Sequence, residues 1–363
     1  MSSRQAILLL AGLLFSAPAF AARPRVGDFV LEADEPNRQI FTDIARRYGT
    51  TSPLDPKRPP KGAQGYVGEK VTWQVHVPRT YRPGKAFGLL VWISPGPSGR
   101  LPRQWRDVID EKRLIWIGTD RTGNPVWTLL RHCLAVEAVE QIQLREYDID
   151  PNRVYVSGLS GGGRISSHVA LMNADRFTGG MYIVGCNYYR SVKFEAGKGW
   201  PGFWRRPDRN LLARARKEGR FVLLTGETDF NRDQTRRIAD AYEKDGFRYA
   251  TYVEVPGMGH AYPPPDWFAK GIDVLDAPIP DILAARPRPK PKATPSPASR
   301  PGPATRPVLR ATDRAQSQLQ LARAYLANGL KDRARQALEA IVREYPKTPQ
   351  AAEAKDLLAE LNE

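Results

Sequence analysis

"RVYVSGLSGGGR", residues 153–164, places one serine among glycines directly after an apolar, β-branched run. A phosphate-binding loop does not fit, because the third glycine of G-x-G-x-x-G and the G-K-[ST] of a P-loop are both missing. The stretch does contain G-x-S-x-G, from Gly158 to Gly162, and a helix-like pattern follows it. This motif marks a nucleophile when the serine lies on a sharp turn between a strand and a helix. We therefore predict that Ser160 is a nucleophile, with a merely flexible turn as the alternative.

Strand and helix patterns alternate on both sides of this motif. Helix-like stretches at 127–147 and 234–246 separate apolar runs. The run at 70–77 alternates as a half-exposed edge strand does, whereas later runs are nearly continuous, which is typical of strands covered on both faces. The pattern predicts an α/β fold, with a mostly parallel sheet and helices on both faces. The predicted strands are 70–77, 89–94, 113–120, 153–158, 181–185, 221–226 and 251–255.

A serine nucleophile needs a base that is held in place by an acid. Of the four histidines, only His260 lies in a glycine-containing loop after the last predicted strand, within "VPGMGHAY". The acid is expected after the preceding strand, where "FVLLTGETDFNR" offers Asp229, with Glu227 and Asp233 as alternatives. Asp229 alternatively only caps the following helix. The chain order nucleophile, acid, base is that of α/β-hydrolases.

Four segments carry a family resemblance: "HVPRTYRPGKAFGLLVWISPG", "DPNRVYVSGLSGGG", "TGETD" and "GMGH". Over about residues 70–275 the chain resembles the exported polyhydroxyalkanoate depolymerases and feruloyl esterases of the α/β-hydrolase family. The resemblance implies a carboxylic-ester hydrolase that works through a covalent acyl-serine and needs no cofactor. It implies that Ser160 is the nucleophile, His260 the general base and then acid, and Asp229 the orienting acid.

Two backbone amides are expected to bind the negative oxygen that forms during attack. The first is that of Gly161, next to the nucleophile. Relatives usually have His-Gly at the end of the strand "LLVWIS", where this chain has Ser94-Pro95-Gly96-Pro97. Because proline has no amide hydrogen, Gly96 is the best remaining second donor. Loss of such a donor costs about 2.7–4 kcal/mol, or about 10²–10³-fold in rate.

A long insertion at 186–210, "CNYYRSVKFEAGKGWPGFWRRPDRN", separates two predicted strands. Its aromatic and basic side chains either form a wall beside the serine, suited to an aryl or sugar-linked acid group, or anchor the loop to the body. The predicted substrate-binding residues are Tyr188, Tyr189, Trp200 and Trp204.

The first 22 residues predict a signal peptide, with Arg4, an apolar run at 7–15 and a small-x-small cleavage site at 19–21. That run is shorter than the roughly 20 residues needed to span a bilayer, and no later segment comes close, so we expect an exported protein without a membrane span. The predicted domains are a signal peptide (1–22), an N-terminal extension (23–69), the α/β-hydrolase domain (70–280), a Pro-rich basic linker (281–310) and a helical tail (311–363).

Nearly half of the formal charge of +16 lies in one segment, and the rest is scattered. Seven basic and no acidic residues lie between Arg286 and Arg310, among many prolines, which predicts a semi-rigid spacer. No nucleic-acid-binding motif occurs, and an exported protein is not expected to bind nucleic acid. The charge either attracts an anionic polymer or membrane surface, or only solvates the linker.

The tail resembles one tetratricopeptide repeat at 315–348, followed by a helix that Thr348 caps and Pro349 begins. A single repeat cannot bury its own apolar face well. We therefore expect the tail to dock on the body, to self-associate or to bind a protein partner, with a plain helical hairpin as the alternative.

The two cysteines, Cys133 and Cys186, either pair as a disulfide or are separate buried thiols. No C-x-x-C pair or H-E-x-x-H helix occurs, so no metal site is predicted.

The predicted function is an ester hydrolase. The alternatives are a peptidase or acyltransferase that uses the same three side chains, since a motif does not identify the leaving group, and a non-catalytic binding protein that acts through its tail.

Overall fold

The structure is a computed structural model that describes residues 24–50, 55–66, 68–193, 199–200, 205–286 and 331–361, together with positions 315, 319, 322, 323 and 326. The predicted signal peptide and residues 287–310 of the predicted linker lie outside the described residues.

Ten strands occur in the described chain: β1 (Gly27–Ala33), β2 (Val71–Val77), β3 (Phe87–Ile93), β4 (Leu114–Thr119), β5 (Ile149–Leu159), β6 (Gly179–Ile183), β7 (Val192–Lys193), β8 (Gly199–Trp200), β9 (Arg220–Gly226) and β10 (Tyr249–Val255). The α-helices of the body are α1 (Arg38–Arg47), α2 (Arg106–Glu111), α3 (Thr128–Gln143), α4 (Gly161–Met172), α5 (Arg209–Glu218), α6 (Arg232–Lys244), α7 (Pro265–Asp276) and α8 (Ile279–Ala285). Those of the tail with described bounds are α9 (Lys331–Glu344) and α10 (Pro349–Glu360).

Eight of these strands form one sheet, in the order β1-β2-β4-β3-β5-β6-β9-β10. β2 pairs antiparallel with β1 and β4, and all other neighbours in the sheet are parallel. The pairs β3–β4, β5–β6 and β9–β10 each have a helix between the two strands along the chain and run parallel, because that helix returns the chain to the starting edge. The predicted α/β fold with a mostly parallel sheet is confirmed.

The position of residues 70–77 in the sheet differs from the prediction. β2 is not an edge strand, because β1 pairs along its outer side with Phe29 opposite Val75. In β1, Phe29 and Leu31 are buried and the residues next to them are not, so β1 is a half-exposed edge strand. β10 is the other edge and most of its residues are not fully buried, so the run at 251–255 is not covered on both faces as expected. An alternating pattern shows that one face of a strand is well packed, and it does not reveal how many strands lie beyond it.

The core consists of two layers, one on each face of the sheet. On β3, Leu89, Val91 and Ile93 pack into the layer that also holds side chains of α1, α3, α4 and α6. Leu90 and Trp92 point the other way and pack with side chains of α2 and α7. Successive side chains of a strand point to opposite faces, so burial of every β3 residue requires helices on both sides.

The tail packs as a separate small cluster. Leu338 and Ile341 of α9 pack with Ala351 and Ala354 of α10, and the described positions 315, 319 and 322 join them. As predicted, the Thr348 side chain accepts a hydrogen bond from the N–H of Ala351 and Pro349 begins the helix. A second small cluster joins Leu144, just after α3, to Ala334 of α9. Of the expected roles, this contact favours docking on the body.

Both cysteines are free and buried, which confirms the alternative of separate thiols. Burial raises the pKa of the Cys186 thiol to about 12, so this thiol stays protonated at neutral pH.

Within the described ranges, no helix is long and apolar enough to cross a membrane, and no cluster of three or more metal-binding side chains occurs.

Candidate active site

Ser160 lies at the junction of β5 and α4 with a backbone φ of 53° and ψ of −118°. A positive φ is unfavourable for a residue with a side chain, by about 1–3 kcal/mol, and persists only where the surroundings impose it. Here the Ser160 N–H donates to the Ile183 carbonyl at 2.8 Å, and the Arg164 N–H donates to the Ser160 carbonyl at 3.0 Å. This turn presents the hydroxyl at the carboxyl edge of the sheet.

Two glycines allow strand and helix to approach each other at this turn. A Cβ built on Gly158 would lie 2.5 Å from the Ile93 carbonyl oxygen and from the Gly162 carbonyl carbon. A Cβ on Gly162 would clash with the same Ile93 oxygen. Both positions therefore require glycine for backbone packing.

We expect Gly162→Ala to lower the free energy of unfolding by about 3 kcal/mol, because the added methyl overlaps the backbone of β3, which cannot move aside as a flexible side chain can. Chemical denaturation monitored by circular dichroism measures this loss. Gly96→Ala is the matched control, since its Cβ would contact only the Ser94 hydroxyl at 3.8 Å. A Gly162→Ala variant as stable as Gly96→Ala would contradict the close packing.

The structure brings the three predicted side chains together in one hydrogen-bonded line. The imidazole Nε2 of His260 lies 2.8 Å from the Ser160 hydroxyl, and its Nδ1 lies 2.8 Å from a carboxylate oxygen of Asp229. The other Asp229 oxygen accepts a hydrogen bond from the Thr225 hydroxyl at 2.7 Å. The Asp229 side chain is fully buried and that of His260 is 24% exposed. The hydrogen-bonded line therefore begins at the buried carboxylate of Asp229 and ends at the accessible hydroxyl of Ser160.

This meeting follows from sheet order. Ser160 follows β5, Asp229 follows β9 and His260 follows β10, and these strands lie with β6 in one parallel half of the sheet. Carboxyl ends of parallel strands share one edge, so loops that are distant in sequence meet there.

The alternative acids have other contacts. Glu227 accepts a hydrogen bond from the Gly257 N–H, and Asp233 is exposed in the first turn of α6. Asp229 also accepts a hydrogen bond from the N–H of Asn231 at 3.1 Å, which helps to order the start of α6. Asp229 therefore both bonds to the backbone at the start of α6 and contacts His260, and one role does not exclude the other.

The other three histidines are buried and bonded elsewhere, as expected of core histidines. His76 lies between the carboxylates of Asp28 and Asp110. His132 and His168 both contact the hydroxyl of Tyr48. Burial lowers the pKa of His132 to about 3, so this ring is neutral at ordinary pH.

The two predicted oxyanion amides, those of Gly161 and Gly96, differ in their hydrogen bonding. The Gly161 N–H is in the first turn of α4, where amides have no partner within the helix. The Gly96 N–H instead donates to the Ser94 hydroxyl at 3.1 Å, so it is already used within the turn. Pro95 and Pro97 have no amide hydrogen. The one backbone N–H of residues 95–97, that of Gly96, therefore points to the Ser94 hydroxyl in this structure.

Two of the predicted substrate-binding residues do not form a wall beside the serine. Tyr188 and Tyr189 are buried, and both hydroxyls donate to the carboxylate of Asp245 at the end of α6. Neither ring offers an exposed face to a substrate, so these two anchor the insertion to the body. The side chains of Trp200 and Trp204 lie outside the described residues.

Two exposed aromatic rings come from the loops that carry Asp229 and His260. Phe230 is 78% exposed, and its ring stacks on the imidazole of His260 with centroids 4.2 Å apart. Tyr262 is 41% exposed and packs on Trp92 and Trp105. Sequence reasoning missed both, although Phe230 directly follows the predicted acid. Large apolar rings left exposed beside a reactive hydroxyl are suited to an apolar substrate group.

We expect Phe230→Ala to raise KM about 3–10-fold for aromatic or long-chain esters and to leave KM for acetate esters nearly unchanged. The reason is that a ring contact contributes about 0.5–1.5 kcal/mol and a small acyl group does not reach it. Steady-state kinetics on an ester series test this, with Val30→Ala, an exposed apolar change on β1, as control. An equal effect on all esters would argue against an acyl- or aryl-binding role.

Comparison with known proteins gives matches of two kinds. The tetratricopeptide repeat family matches residues 315–360. Among solved structures, Est1E from Butyrivibrio proteoclasticus is similar over 59% of this chain and 95% of its own, with 14% identity and a TM-score of 0.39. Thermogutta terrifontis esterase 2 is similar over 65% of this chain and 100% of its own, with 15% identity and a TM-score of 0.42. No curated protein matches the sequence.

A third solved structure, the acylaminoacyl peptidase of Pyrococcus horikoshii, is similar over 58% of this chain, with 16% identity and a TM-score of 0.42. The similar region spans 39% of that peptidase.

The order of the sheet, its single antiparallel strand next to the edge and the strained serine after β5 define the architecture of the described body. The chain therefore has an α/β-hydrolase fold with a C-terminal tetratricopeptide-like repeat.

Proposed function

We propose that this protein is an exported serine hydrolase that cleaves carboxylic esters through an acyl-serine intermediate. The observation that supports this most strongly is the line Ser160–His260–Asp229, with both hydrogen bonds at 2.8 Å and the serine on a strained turn. A structural serine has no need of a positive φ or of a buried carboxylate behind its histidine. The resemblance of four segments to exported depolymerases and feruloyl esterases supports the same reaction class.

The first half of the reaction forms the acyl-enzyme. The Ser160 oxygen attacks the ester carbonyl carbon while its proton passes to Nε2 of His260, and the buried Asp229 carboxylate stabilises the resulting imidazolium. The carbonyl electron pair moves onto oxygen, which lies near the Gly161 N–H. When the carbonyl re-forms, the ester bond breaks and the alcohol leaves with the proton from His260.

The second half releases the acid. Water takes the place of the alcohol, gives a proton to His260 and attacks the acyl carbon. Collapse of this second intermediate returns the proton to the Ser160 oxygen and frees the carboxylic acid. The same residues act twice, so the enzyme is regenerated without a cofactor.

The proposed substrate carries an apolar or aromatic group. Support comes from Phe230, whose exposed ring stacks on His260, and from Tyr262, which is exposed two residues after His260 in the chain. A shallow cavity bordered by Pro95, Pro97 and Val126 adds apolar surface beside the 94–97 turn. Apolar walls near a reactive serine favour ester groups of that character.

A paired substrate series tests the reaction class. The full chain is assayed with nitrophenyl esters of increasing acyl size and aromaticity and, in parallel, with nitroanilides of short peptides. Ester turnover without anilide turnover supports the proposal, and anilide turnover at a comparable kcat/KM supports the peptidase alternative. Failure of both assays, with no labelling by a fluorophosphonate, supports the binding-protein alternative.

Export is part of the proposal because of the pattern at 1–22: a positive start, an apolar run and small residues at 19–21. Recovery of a shortened chain outside the cytoplasm, measured by mass, tests it. A full-length chain found only in the cytoplasm would refute it.

A further inference from the structure

A hydrogen-bonded network lies directly behind the line of Ser160, His260 and Asp229. The Asp229 side chain is fully buried, and its two carboxylate oxygens accept hydrogen bonds from His260, from the Thr225 hydroxyl and from the Asn231 N–H. A buried carboxylate is stable only when hydrogen bonds and nearby charge replace the water it has lost. The groups that fix Asn231 therefore also determine where the acid lies.

The side chain of Asn231 is held at both ends of its amide. Its Nδ2 donates to the Val184 carbonyl at 2.8 Å, and its Oδ1 accepts a hydrogen bond from a guanidinium nitrogen of Arg164 at 3.0 Å. Asn231 is only 7% exposed, so water competes little for these bonds. The two bonds hold the amide in one orientation and keep the backbone N–H of the same residue on Asp229.

The Val184 end of this network reaches the nucleophile. Val184 has a backbone φ of 48°, which is strained for a β-branched residue. The turn places Gly185 against the serine, since a Cβ built on Gly185 would lie 2.5 Å from the Ser160 carbonyl oxygen. Asn231 therefore bonds to the acid on one side and, on the other, to the turn that packs against the nucleophile.

Arg164 joins the network from α4, one helical turn after Ser160. Besides Asn231, its guanidinium contacts the Asn187 side chain at 2.9 Å and the Gln234 side chain at 2.8 Å, and it donates both hydrogen bonds. Asn187 belongs to the insertion after β6 and Gln234 to α6, so one planar group ties three segments together. A guanidinium presents its N–H donors in a rigid fork, which the single ammonium of a lysine does not reproduce.

The charge of Arg164 also favours the ionised form of the acid. Arg164 is half-buried, and burial lowers the pKa of its guanidinium while the nearby carboxylate of Asp229 opposes that change. An arginine stays protonated at neutral pH, so the two charges attract each other across Asn231. A positive charge at this distance stabilises a carboxylate that water does not reach.

We propose that Arg164 is a positioning residue for the proposed reaction. Through Asn231 it holds the Asp229 carboxylate against His260. The inference rests on the proposed function for the reaction itself, whereas the contacts it concerns are present in the resting protein. Arg164 makes and breaks no bond, and it acts on the rate because proton transfer to His260 requires close alignment.

Kinetics of two Arg164 variants in the full chain test this role. We expect Arg164→Met to lower kcat on a nitrophenyl ester about 10–100-fold and to change KM less than about threefold, because the alignment of the acid is lost and the substrate contacts are kept. Arg164→Lys keeps the charge and fewer of the hydrogen bonds, so its kcat should lie between those of the wild type and Arg164→Met. The lysine variant also keeps the test decisive if Arg164→Met folds poorly. Arg214→Met, an exposed change on α5, is the matched control and should keep wild-type kcat.

Proton NMR gives a readout that a merely structural role would not move. A proton held between Nδ1 of His260 and a buried carboxylate resonates far downfield of ordinary amide protons, because the hydrogen bond is charge-assisted. We expect this resonance to shift or broaden in Arg164→Met and to stay unchanged in Arg214→Met. An Arg164→Met variant that loses thermal stability but keeps both the resonance and kcat would overturn the inference.

A double-mutant cycle tests the route through Asn231. Asn231→Ala removes the side-chain amide and retains the backbone N–H that bonds to Asp229. If Arg164 acts through this amide, Arg164→Met lowers kcat in the wild-type background and has little further effect in the Asn231→Ala background. The same factor in both backgrounds would show an independent effect and would overturn this route.

The outcomes separate this inference from the proposed function. If the wild type is active, Ser160→Ala is not, and both Arg164 variants keep kcat within about threefold, the positioning role is overturned and the hydrolase stands. If the wild type neither turns over esters nor labels with a fluorophosphonate, and the downfield resonance still depends on Arg164, the proposed function is overturned and the coupling of Arg164 to the acid stands.

Discussion

Ser160→Ala is expected to reduce ester turnover by about 10⁴–10⁶-fold and to abolish labelling by a fluorophosphonate. The methyl group cannot attack the carbonyl, so no acyl-enzyme forms, and only binding and the oxyanion donors remain to accelerate direct attack by water. Progress curves on a nitrophenyl ester measure the turnover, and intact-protein mass spectrometry measures the covalent adduct.

Ser98→Ala is the matched control, because Ser98 is an exposed serine on the loop after the 94–97 turn and does not contact His260. This variant should keep wild-type turnover and labelling. Labelling that persists in Ser160→Ala would show that another nucleophile reacts and would refute the assignment of Ser160.

Asp229→Ala is expected to lower kcat about 10⁴-fold. The change removes the acceptor for the Nδ1–H of His260 and the buried charge that stabilises the imidazolium during proton transfer. It also leaves the Thr225 hydroxyl and the Asn231 N–H without this acceptor, so a loss of about 1–3 kcal/mol in unfolding free energy should accompany it. Steady-state kinetics and chemical denaturation measure the two effects separately.

The two alternative acids provide the controls. Glu227→Ala and Asp233→Ala remove carboxylates at the same strand end and in the next helix, and neither contacts His260. Both should stay within about threefold of wild-type kcat. If either control loses as much activity as Asp229→Ala, the orienting acid has been assigned to the wrong carboxylate.

The positions of Ser160, Asp229 and His260 were accessible from sequence because each is marked locally. Apolar runs reveal β5, β9 and β10, although the edge strand β10 is not covered on both faces, and the loops that follow these strands are short. The parallel arrangement then places the ends of these strands at one edge. The glycines around the serine are equally visible in the sequence, although Gly158 and Gly162 are required by packing against the Ile93 carbonyl of the distant strand β3.

Other features have no local signature. The edge strand β1 is seven residues long and is followed by a helix and a long loop before its partner β2, so only pairing across the sheet reveals it. Tyr188 and Tyr189 are as aromatic as a substrate wall would be. Their burial on Asp245, which lies more than fifty residues later in the chain, decides that they anchor the insertion.

By itself, the sequence of this protein determined the fold class, the strained serine turn and the three side chains that meet beside it, because hydrophobic period and glycine placement act over a few neighbouring residues. Only the tertiary structure decided how the rest of the site is completed. There the Gly96 N–H is bonded to the Ser94 hydroxyl, and Phe230 is left exposed on His260. Hydrogen-bond partners and exposure depend on which distant segments pack together, and that is settled by the whole fold.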